Sequence, residues 1–208
     1  MHQVMITNVN ANENREEWLA LRRQHLTATD WPKITGTSRW GSAEEVIFDK
    51  LNTEDDDYFE PNLPMKVGSA LEPLIIDKTK KVLGRGSYLS QAFLSRRHMG
   101  FTPDLIRIHK SSDWVLAEIK VSVKEWGGNV PADYLDQVRF QATVLGIDQV
   151  HVIHLKLPSW KDGLRLFKSG NIPQDRLAVY LVDVSETERK RIERQSAKWW
   201  NTNIMNGD

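Results

Sequence analysis

The 208-residue sequence contains no cysteine, and it has no excess of charge of either sign. The first absence excludes disulfides, thiol nucleophiles and cysteine-ligated zinc or iron–sulfur clusters. The second follows from 28 lysines and arginines balanced by 28 aspartates and glutamates. Proteins that coat nucleic acid through a broad surface are strongly basic, so any contact with nucleic acid must use a confined positive site.

Long apolar runs are also missing, and the N-terminus lacks the charged-then-apolar pattern of a signal peptide. The sequence therefore predicts no membrane partner and a cytoplasmic location. Hydrophobic residues make up 40% of the chain and charged residues 27%, which is typical of a globular protein. A chain of this length fits one domain, covering residues 1–208.

Periodicity and end signals predict an α/β fold in which a mixed central sheet is flanked by helices on both sides. Helices are predicted near residues 14–25, from residue 29, over 42–51, 71–83 and 131–145, and after the capping box Ser185-x-x-Glu188. Strands are predicted over residues 88–95, 105–109, 114–121, 150–155 and 177–182. Residues 1–11 are predicted to be a loose start, and 52–66, with four consecutive acids, an exposed loop.

The most informative motif is the predicted hairpin of residues 105–121. Asp104 precedes its first strand, and a turn of Lys110-Ser111-Ser112-Asp113 joins the two strands. Glu118 and Lys120 are two residues apart in the second strand, so both should project from the same face. The hairpin is thus predicted to bring two carboxylates and an ammonium group together.

This group suits phosphodiester hydrolysis. Two carboxylates and a backbone carbonyl, here that of Ile119, leave Mg²⁺ open positions for water and a phosphate oxygen. The ion would activate that water, a second ion could stabilise the leaving oxygen, and Lys120 would orient the water or stabilise the charged transition state. The alternative is a surface hairpin with solvated charges. The apolar residues around Glu118 favour burial instead, where an unpaired charge is costly.

Pro103-Asp104 followed by Glu118-Ile119-Lys120 resembles the PD-(D/E)xK nuclease superfamily. Further motifs occur in the order seen in its lambda-exonuclease group, the YqaJ-type viral recombinases: Trp18-x-x-Leu21-Arg22, Leu26-Thr27-Ala28-Thr29-Asp30, Gly68-x-x-x-Glu72-Pro73 and Tyr134-x-x-Gln137. The resemblance implies a restriction-endonuclease-like core. It also implies a metal-dependent 5′→3′ exonuclease that acts on ends of double-stranded DNA and leaves a 3′ single strand for recombination by strand annealing.

Supporting roles for Glu72 and Gln137 are implied by the same resemblance. Glu72 has helical spacing with Thr79 and Leu83, so it should face the core, where it would hold a metal-bound water or a second ion. Its alternative role is that of an acid favoured at a helix N-terminus. Gln137 matches the family's active-site glutamine, whereas Gln141, on the same helix face, is predicted to be structural. A solvated polar face is the alternative for both glutamines.

By resemblance, Arg22, Thr29 and Thr102 form a pocket for a terminal 5′-phosphate. A guanidinium group favours bidentate contact with phosphate, and Thr29 lies beside a predicted helix N-terminus, which attracts anions. The alternatives are that Thr29 is an N-cap and that Arg22 is a surface residue. The chain departs from the family's archetype at one position. The archetype has a further arginine a few residues beyond the lysine of its Glu-x-Lys motif, whereas this chain has Lys124-Glu125-Trp126 there. Lys124 could substitute as a point charge with less geometric specificity.

The implied cofactor is Mg²⁺, with one or two ions per site and Mn²⁺ as a substitute. The implied partners are a DNA end, two further copies of the chain in a homotrimeric ring, and a single-strand annealing protein in a phage-bearing bacterial host. Charge balance favours a ring independently, because a neutral monomer has little long-range attraction for phosphates. Trp199 and Trp200 are candidate interface anchors, with core packing as the alternative for one of them.

Two other functions fit the same residues. One is a PD-(D/E)xK endonuclease or resolvase with the same chemistry, which would act on closed circular DNA. The other is a non-catalytic DNA-binding protein on the same fold, which would bind without cleaving. Retention of Asp104, Glu118 and Lys120 together argues against the second function.

Overall fold

Helices and strands alternate along the chain in this computed structural model, which describes residues 3–10, 13–52, 61–110 and 113–206. The helices are α1 (Arg15–Arg23), α2 (Trp31–Thr35), α3 (Ala43–Leu51), α4 (Leu63–Leu83), α5 (Ala132–Leu145), α6 (Trp160–Ser169) and α7 (Glu186–Trp200). The strands are β1 (Met5–Asn10), β2 (Leu26–Thr27), β3 (Ser87–Leu89), β4 (Ala92–Arg96), β5 (Met99–Phe101), β6 (Leu105–Lys110), β7 (Asp113–Ser122), β8 (Gln149–Lys156) and β9 (Leu177–Asp183).

The strands form two mixed sheets. The larger has the order β3-β6-β7-β8-β9 and is antiparallel except for the pair β7–β8. The smaller has the order β1-β4-β5-β2, and its one parallel pair within the described residues is β2–β5. The predicted α/β fold is therefore confirmed, although two sheets take the place of one central sheet.

The predicted strand over residues 88–95 is wrong, because the chain there changes sheets. β3 pairs with β6 in the larger sheet, whereas β4 pairs with β1 and β5 in the smaller one. Gln91 lies between them with a left-handed φ of 60°, and its backbone N–H donates to the carbonyl of Pro103 at 3.1 Å. Neither glycine nor proline marks this turn, so the break gives no local signal.

The start of the chain and the start of α4 also differ from prediction. Met5–Asn10 is a strand paired with β4, not a loose segment. α4 begins at Leu63, eight residues before the predicted start at residue 71, with the Asn62 side chain accepting from the Met65 N–H at 3.1 Å. Proline at the first helical turn is compatible with this start, because it needs no N–H there. The predicted loop is thus partly helical, and its acids at residues 54–57 lie outside the described residues.

Other predicted elements are confirmed, including the hairpin β6–β7 and helices α1, α3, α5 and α7. The Ser185 hydroxyl accepts from the Glu188 N–H at 3.2 Å and the Glu188 carboxylate accepts from the Ser185 N–H at 3.2 Å, which completes the capping box. The prediction omitted β1, β2, β5 and α6. β2 and β5 have two and three residues, too few to show a period.

The hydrophobic core lies on both faces of the larger sheet, because successive strand residues point to opposite sides. Leu116 packs into a cluster with α5, α7 and the smaller sheet, while its neighbour Ala117 packs into a second cluster beneath α4. Trp200 is buried in the first cluster and Trp199 packs against it half-buried, so core packing accounts for Trp200. Within the described part of the chain, no helix is both long and apolar enough to span a membrane.

Candidate active site

A cleft of about 1640 Å³ opens between the larger sheet, the smaller sheet and helices α1, α4 and α5. It exceeds the ~300–1,000 Å³ typical of small-molecule pockets, so it has room for a polymer. All eight predicted functional side chains line it: Arg22, Thr29, Glu72, Thr102, Asp104, Glu118, Lys120 and Gln137. The fold therefore brings together residues that are up to 115 positions apart in the sequence.

The hairpin positions its charged residues as its alternation predicts. Glu118 and Lys120 lie on one face of β7, with the Lys120 ammonium 2.7 Å from Glu118 Oε1. The side chain of Ile119 packs on the opposite face, and its backbone N–H donates to Asp104 Oδ2 at 2.6 Å. Since Leu105 pairs with Ala117, Asp104 stands beside Glu118 at the entrance of β6.

Two glutamines of α5 hold the Glu118 carboxylate. Gln137 Nε2 donates to Glu118 Oε1 at 2.6 Å, and Gln141 Nε2 donates to Oε2 at 2.8 Å. Gln137 Oε1 also accepts from Lys120 at 2.9 Å. Both glutamines are buried, so the alternative of a solvated polar face is wrong. Gln141, predicted to be structural, belongs to the site, and its place four residues after Gln137 was the available signal.

Glu72 faces the cleft from the middle of α4. Because α4 begins nine residues earlier, at Leu63, the alternative of an acid at the helix N-terminus is wrong. Its Oε1 accepts from Gln91 Nε2 at 2.7 Å. No sequence pattern pointed to Gln91, which reaches the site because its left-handed backbone turns the chain between the two sheets.

Electrostatically, the site holds more carboxylates than cations. Burial and then the charge of Glu118 raise the pKa of Asp104 well above its usual range. Burial raises the pKa of Glu72 too, with a further contribution from Glu118. Burial alone would lower the pKa of Lys120, but Glu118 and Asp104 raise it above its ordinary value. Three carboxylates that repel one another beside one ammonium group favour an additional positive charge.

The donor set fits a hard divalent cation. Mg²⁺ prefers carboxylate and carbonyl oxygens and keeps several waters, and Asp104, Glu118 and the Ile119 carbonyl provide oxygens of these kinds. Among the described residues, no group of three or more His, Cys, Asp or Glu side chains is arranged to hold an ion. A site here would therefore need the backbone carbonyl and water as well as the two carboxylates.

The predicted phosphate-pocket residues are neighbours on one wall of the cleft. Arg22 Nη2 donates to Thr29 Oγ1 at 3.0 Å, and the guanidinium lies 4.7 Å from the centre of the Trp18 ring. Trp18 Nε1 in turn donates to Thr102 Oγ1 at 2.8 Å. The N-cap of α2 is Asp30, so the alternative of Thr29 as the cap is wrong. Arg22 is half-buried, and burial lowers its pKa, which argues against a freely solvated residue.

Lys124 also lines the cleft, on the loop that follows β7. The loop is anchored two residues later, where the buried Trp126 ring stacks on His154 with the ring centres 3.7 Å apart and an angle of 3°. The Ser122 hydroxyl donates to the Lys124 carbonyl at 3.1 Å and lies 2.9 Å from His154 Nε2. Burial lowers the pKa of His154 to about 4. These contacts fix the backbone that carries Lys124 along the cleft.

Comparison with known proteins gives one family match and several structural neighbours. The sequence model of the YqaJ-like viral recombinase domain matches residues 17–148. The alkaline exonuclease of Laribacter hongkongensis has a TM-score of 0.66 at 16% identity, covering 91% of this chain and 93% of that one. Its complex with dAMP gives a TM-score of 0.65 at 14% identity, with coverage of 91% and 93%.

A phage-related exonuclease from Haemophilus somnus 129PT has a TM-score of 0.60 at 14% identity, covering 92% of this chain and 100% of that one. At these identities the likeness is one of fold. No curated protein matches the chain.

Proposed function

The chain belongs to the family of YqaJ-like viral recombinase domains, which are lambda-exonuclease-like nucleases, and we propose that it is a metal-dependent 5′→3′ exonuclease. Its substrate is an end of double-stranded DNA, and its product is a 3′ single strand for recombination by strand annealing. The observation that carries the proposal is the convergence of Asp104, Glu118 and Lys120 in one cleft.

Each residue of this group has a distinct part in the proposed reaction. Asp104, Glu118 and the carbonyl of Ile119 hold Mg²⁺ or Mn²⁺, which when bound activates water and neutralises charge on the phosphate. Lys120 stabilises the negative charge that develops on the phosphate oxygens, because its ammonium is fixed by Glu118 and Gln137. Gln137 thereby orients both the carboxylate and the ammonium. Glu72, on α4, would support a second ion or a water in the same cleft.

Arg22, Thr29 and Thr102 provide the proposed pocket for the terminal 5′-phosphate. The guanidinium supplies two parallel donors and a charge, and the two hydroxyls supply further donors. The exposed Lys124 adds a point charge where the family's archetype has an arginine. A pocket for one kind of end, placed beside the reacting group, would give the enzyme its direction.

The direct test is incubation of the protein with linear duplex that is labelled at its 5′ ends or at its 3′ ends, in the presence of Mg²⁺ or of a chelator. The proposal expects metal-dependent loss of label from the 5′ end and no cleavage of a closed circular duplex. Cleavage of the circle would identify an endonuclease or resolvase instead. Binding to DNA ends without cleavage in either Mg²⁺ or Mn²⁺ would identify a non-catalytic protein.

The phosphate pocket has its own test, which compares a 5′-phosphorylated duplex with a 5′-hydroxyl duplex. The phosphorylated end should be digested faster, and Arg22→Ala should reduce the difference because the bidentate donor is gone. Arg15→Ala is the matched control, since Arg15 is an exposed arginine of the same helix. Equal rates for both ends, or release of nucleotides from the 3′ end, would contradict the pocket.

A further inference from the structure

A buried ion pair lies directly behind the wall of the cleft that carries Arg22 and Thr29. Lys50 Nζ, from the last turn of α3, is 2.7 Å from Asp30 Oδ2, and the two side chains are only 4% and 8% exposed. Buried charges are costly to desolvate, so a lysine in this position needs a reason beyond general stability. The proposed chemistry uses neither residue.

The pair is connected to both elements that carry the proposed phosphate pocket. Asp30 Oδ2 accepts from the backbone N–H of Thr27 at 2.9 Å and from its hydroxyl at 2.6 Å. The Thr27 hydroxyl lies 3.1 Å from that of Thr29. Lys50 also donates to the backbone carbonyl of Arg22 at 2.7 Å. Lys50 therefore joins the end of α1 to the turn before α2.

Asp30 is also an anion that would compete with a substrate phosphate for Arg22, and the exposed Asp49 acts on Arg22 in the same sense with a smaller effect. The charges of Asp30 and Arg22 act on each other, because Asp30 raises the pKa of Arg22 against the larger effect of burial, and Arg22 contributes to lowering that of Asp30. A carboxylate and a phosphate bind guanidinium through the same bidentate geometry. In the structure, however, Arg22 Nη2 donates to Thr29, while Asp30 is occupied by Lys50 and Thr27.

We infer that Lys50 is a positioning residue for the terminal-phosphate pocket: it neutralises Asp30, so the Arg22 guanidinium stays available to a phosphate monoester at the DNA end. The inference rests on the proposed function. With Lys50 present, the charges of Lys50 and Asp30 cancel and Arg22 leaves the pocket positive. Without Lys50, Asp30 would cancel Arg22 instead. A phosphate monoester carries about −1.5 to −2 charges at neutral pH, so that loss would matter most for the phosphorylated end.

The experiment measures kcat and KM on 5′-phosphorylated and 5′-hydroxyl duplexes of one sequence, and compares the ratio of the two kcat/KM values. Lys50→Met should lower this ratio by about tenfold, mainly through KM for the phosphorylated end, because a charge-assisted contact is lost. The double variant Lys50→Met/Asp30→Asn should recover most of the ratio, since the competing carboxylate has gone as well. Lys198→Met, at an exposed lysine of α7, should keep the wild-type ratio.

Lys50→Met leaves a buried carboxylate unpaired, so the folding of each variant is checked by circular dichroism and thermal unfolding. If Lys50→Met does not fold, Lys50→Gln applies the same test, because it removes the charge but keeps a donor. A folded single variant with the wild-type ratio would overturn the inference. So would a folded double variant with a ratio as low as that of the single one, which would mean a merely structural role. If the wild-type protein itself digests both ends with equal kcat/KM, the phosphate pocket is refuted instead.

Discussion

Glu118 takes part in more hydrogen bonds of the candidate site than any other residue described there. Lys120 and Gln137 bind its Oε1, and Gln141 binds its Oε2, so the carboxylate has one fixed orientation. A metal-binding carboxylate that is already oriented loses little side-chain entropy when the ion binds. Preorganisation of this kind is what electrostatic catalysis requires.

At this scale the first prediction concerns Asp104→Asn, Glu118→Gln and Lys120→Ala. Each should remove most cleavage while leaving the fold and the binding of DNA ends largely intact. In the proposed mechanism, loss of Lys120 would remove transition-state stabilisation of a kind worth about 2.7–4 kcal/mol, and loss of either carboxylate would weaken metal binding. Single-turnover rates on linear duplex measure the effect, with Lys198→Ala as the control. Near-normal turnover in a folded variant would remove that residue from the mechanism.

A second prediction concerns Gln141, which was predicted to be structural but donates a hydrogen bond to Glu118. Gln141→Leu keeps the volume but removes the donor to Glu118 Oε2, so the Mg²⁺ concentration for half-maximal activity should rise about tenfold. Thr143→Val is the control, because Thr143 is a buried residue of the same helix whose hydroxyl donates to the Arg139 carbonyl at 2.7 Å. An unchanged Mg²⁺ dependence in folded Gln141→Leu would show that Gln137 and Lys120 suffice to hold Glu118.

The contrast between Glu118 and Gln91 shows what could be read from the sequence at residue scale. The approach of Glu118 to Lys120 and Asp104 follows from strand alternation and one short turn, both local properties. Gln91 reaches Glu72 only because the chain changes sheets beside it, and Lys50 reaches Asp30 only because α3 packs behind the turn. Such contacts depend on tertiary packing, so no local pattern predicts them.

At the scale of elements, the conformation of the loop after β7 depends on its contacts with β8. Trp126 stacks on His154, which is 2% exposed, and the imidazole also contacts the Ser122 hydroxyl. The strand β8 was predicted from its β-branched residues, but the stack was not, because it joins residues 28 positions apart. The elements recognised from the sequence are those long enough to show a period or marked by caps. β2 and β5, with two and three residues, are too short for either signal to be clear.

His154 gives this loop a predictable pH dependence. In the unfolded chain a histidine has a pKa near ~6.5, but burial lowers the pKa of His154 to about 4 in the folded protein. The unfolded state therefore binds more protons, and the free energy of unfolding should fall as the pH drops from about 6.5 toward about 4.

His154→Phe keeps a ring against Trp126 but cannot titrate. When the pH drops from about 7 to about 4.5, the free energy of unfolding should decrease less in His154→Phe than in the wild type. The difference between the two decreases should be on the order of 1–2 kcal/mol. Urea unfolding measures both proteins, and His109→Phe, at an exposed histidine of β6, is the control. Equal losses in wild type and His154→Phe would mean that His154 takes up its proton as readily in the folded state.

For the whole molecule, charge balance is the property with the largest consequence. Because its formal net charge is zero, a single copy would attract DNA only weakly, and its contacts with phosphates would weaken steeply as the salt concentration rises. A closed ring would retain duplex by topology, and closed symmetry is the usual arrangement of homo-oligomers. Resemblance to the family supplies the number three.

Sedimentation equilibrium should thus give three times the mass of the chain. Long duplex should be digested by one assembly without frequent release, even when unlabelled competitor DNA is added after the start. A monomer at working concentration that dissociates after each nucleotide would contradict the ring. The substitutions of Asp104, Glu118 and Lys120 test the proposed metal site separately.

Between β5 and β6 the chain passes from the smaller sheet to the larger one through only three residues, 102–104. Thr102 directly follows β5 and Asp104 directly precedes β6, so one residue, Pro103, separates the proposed end-binding wall from the proposed metal site. The Cα atoms of Thr102 and Asp104 are two peptide units apart, a separation of at most about 7 Å. Pro103 between them has a fixed φ, which restricts this distance further. The distance from a seated DNA terminus to the bond that breaks would then be a property of the backbone, and every round of digestion would release a fragment of the same length.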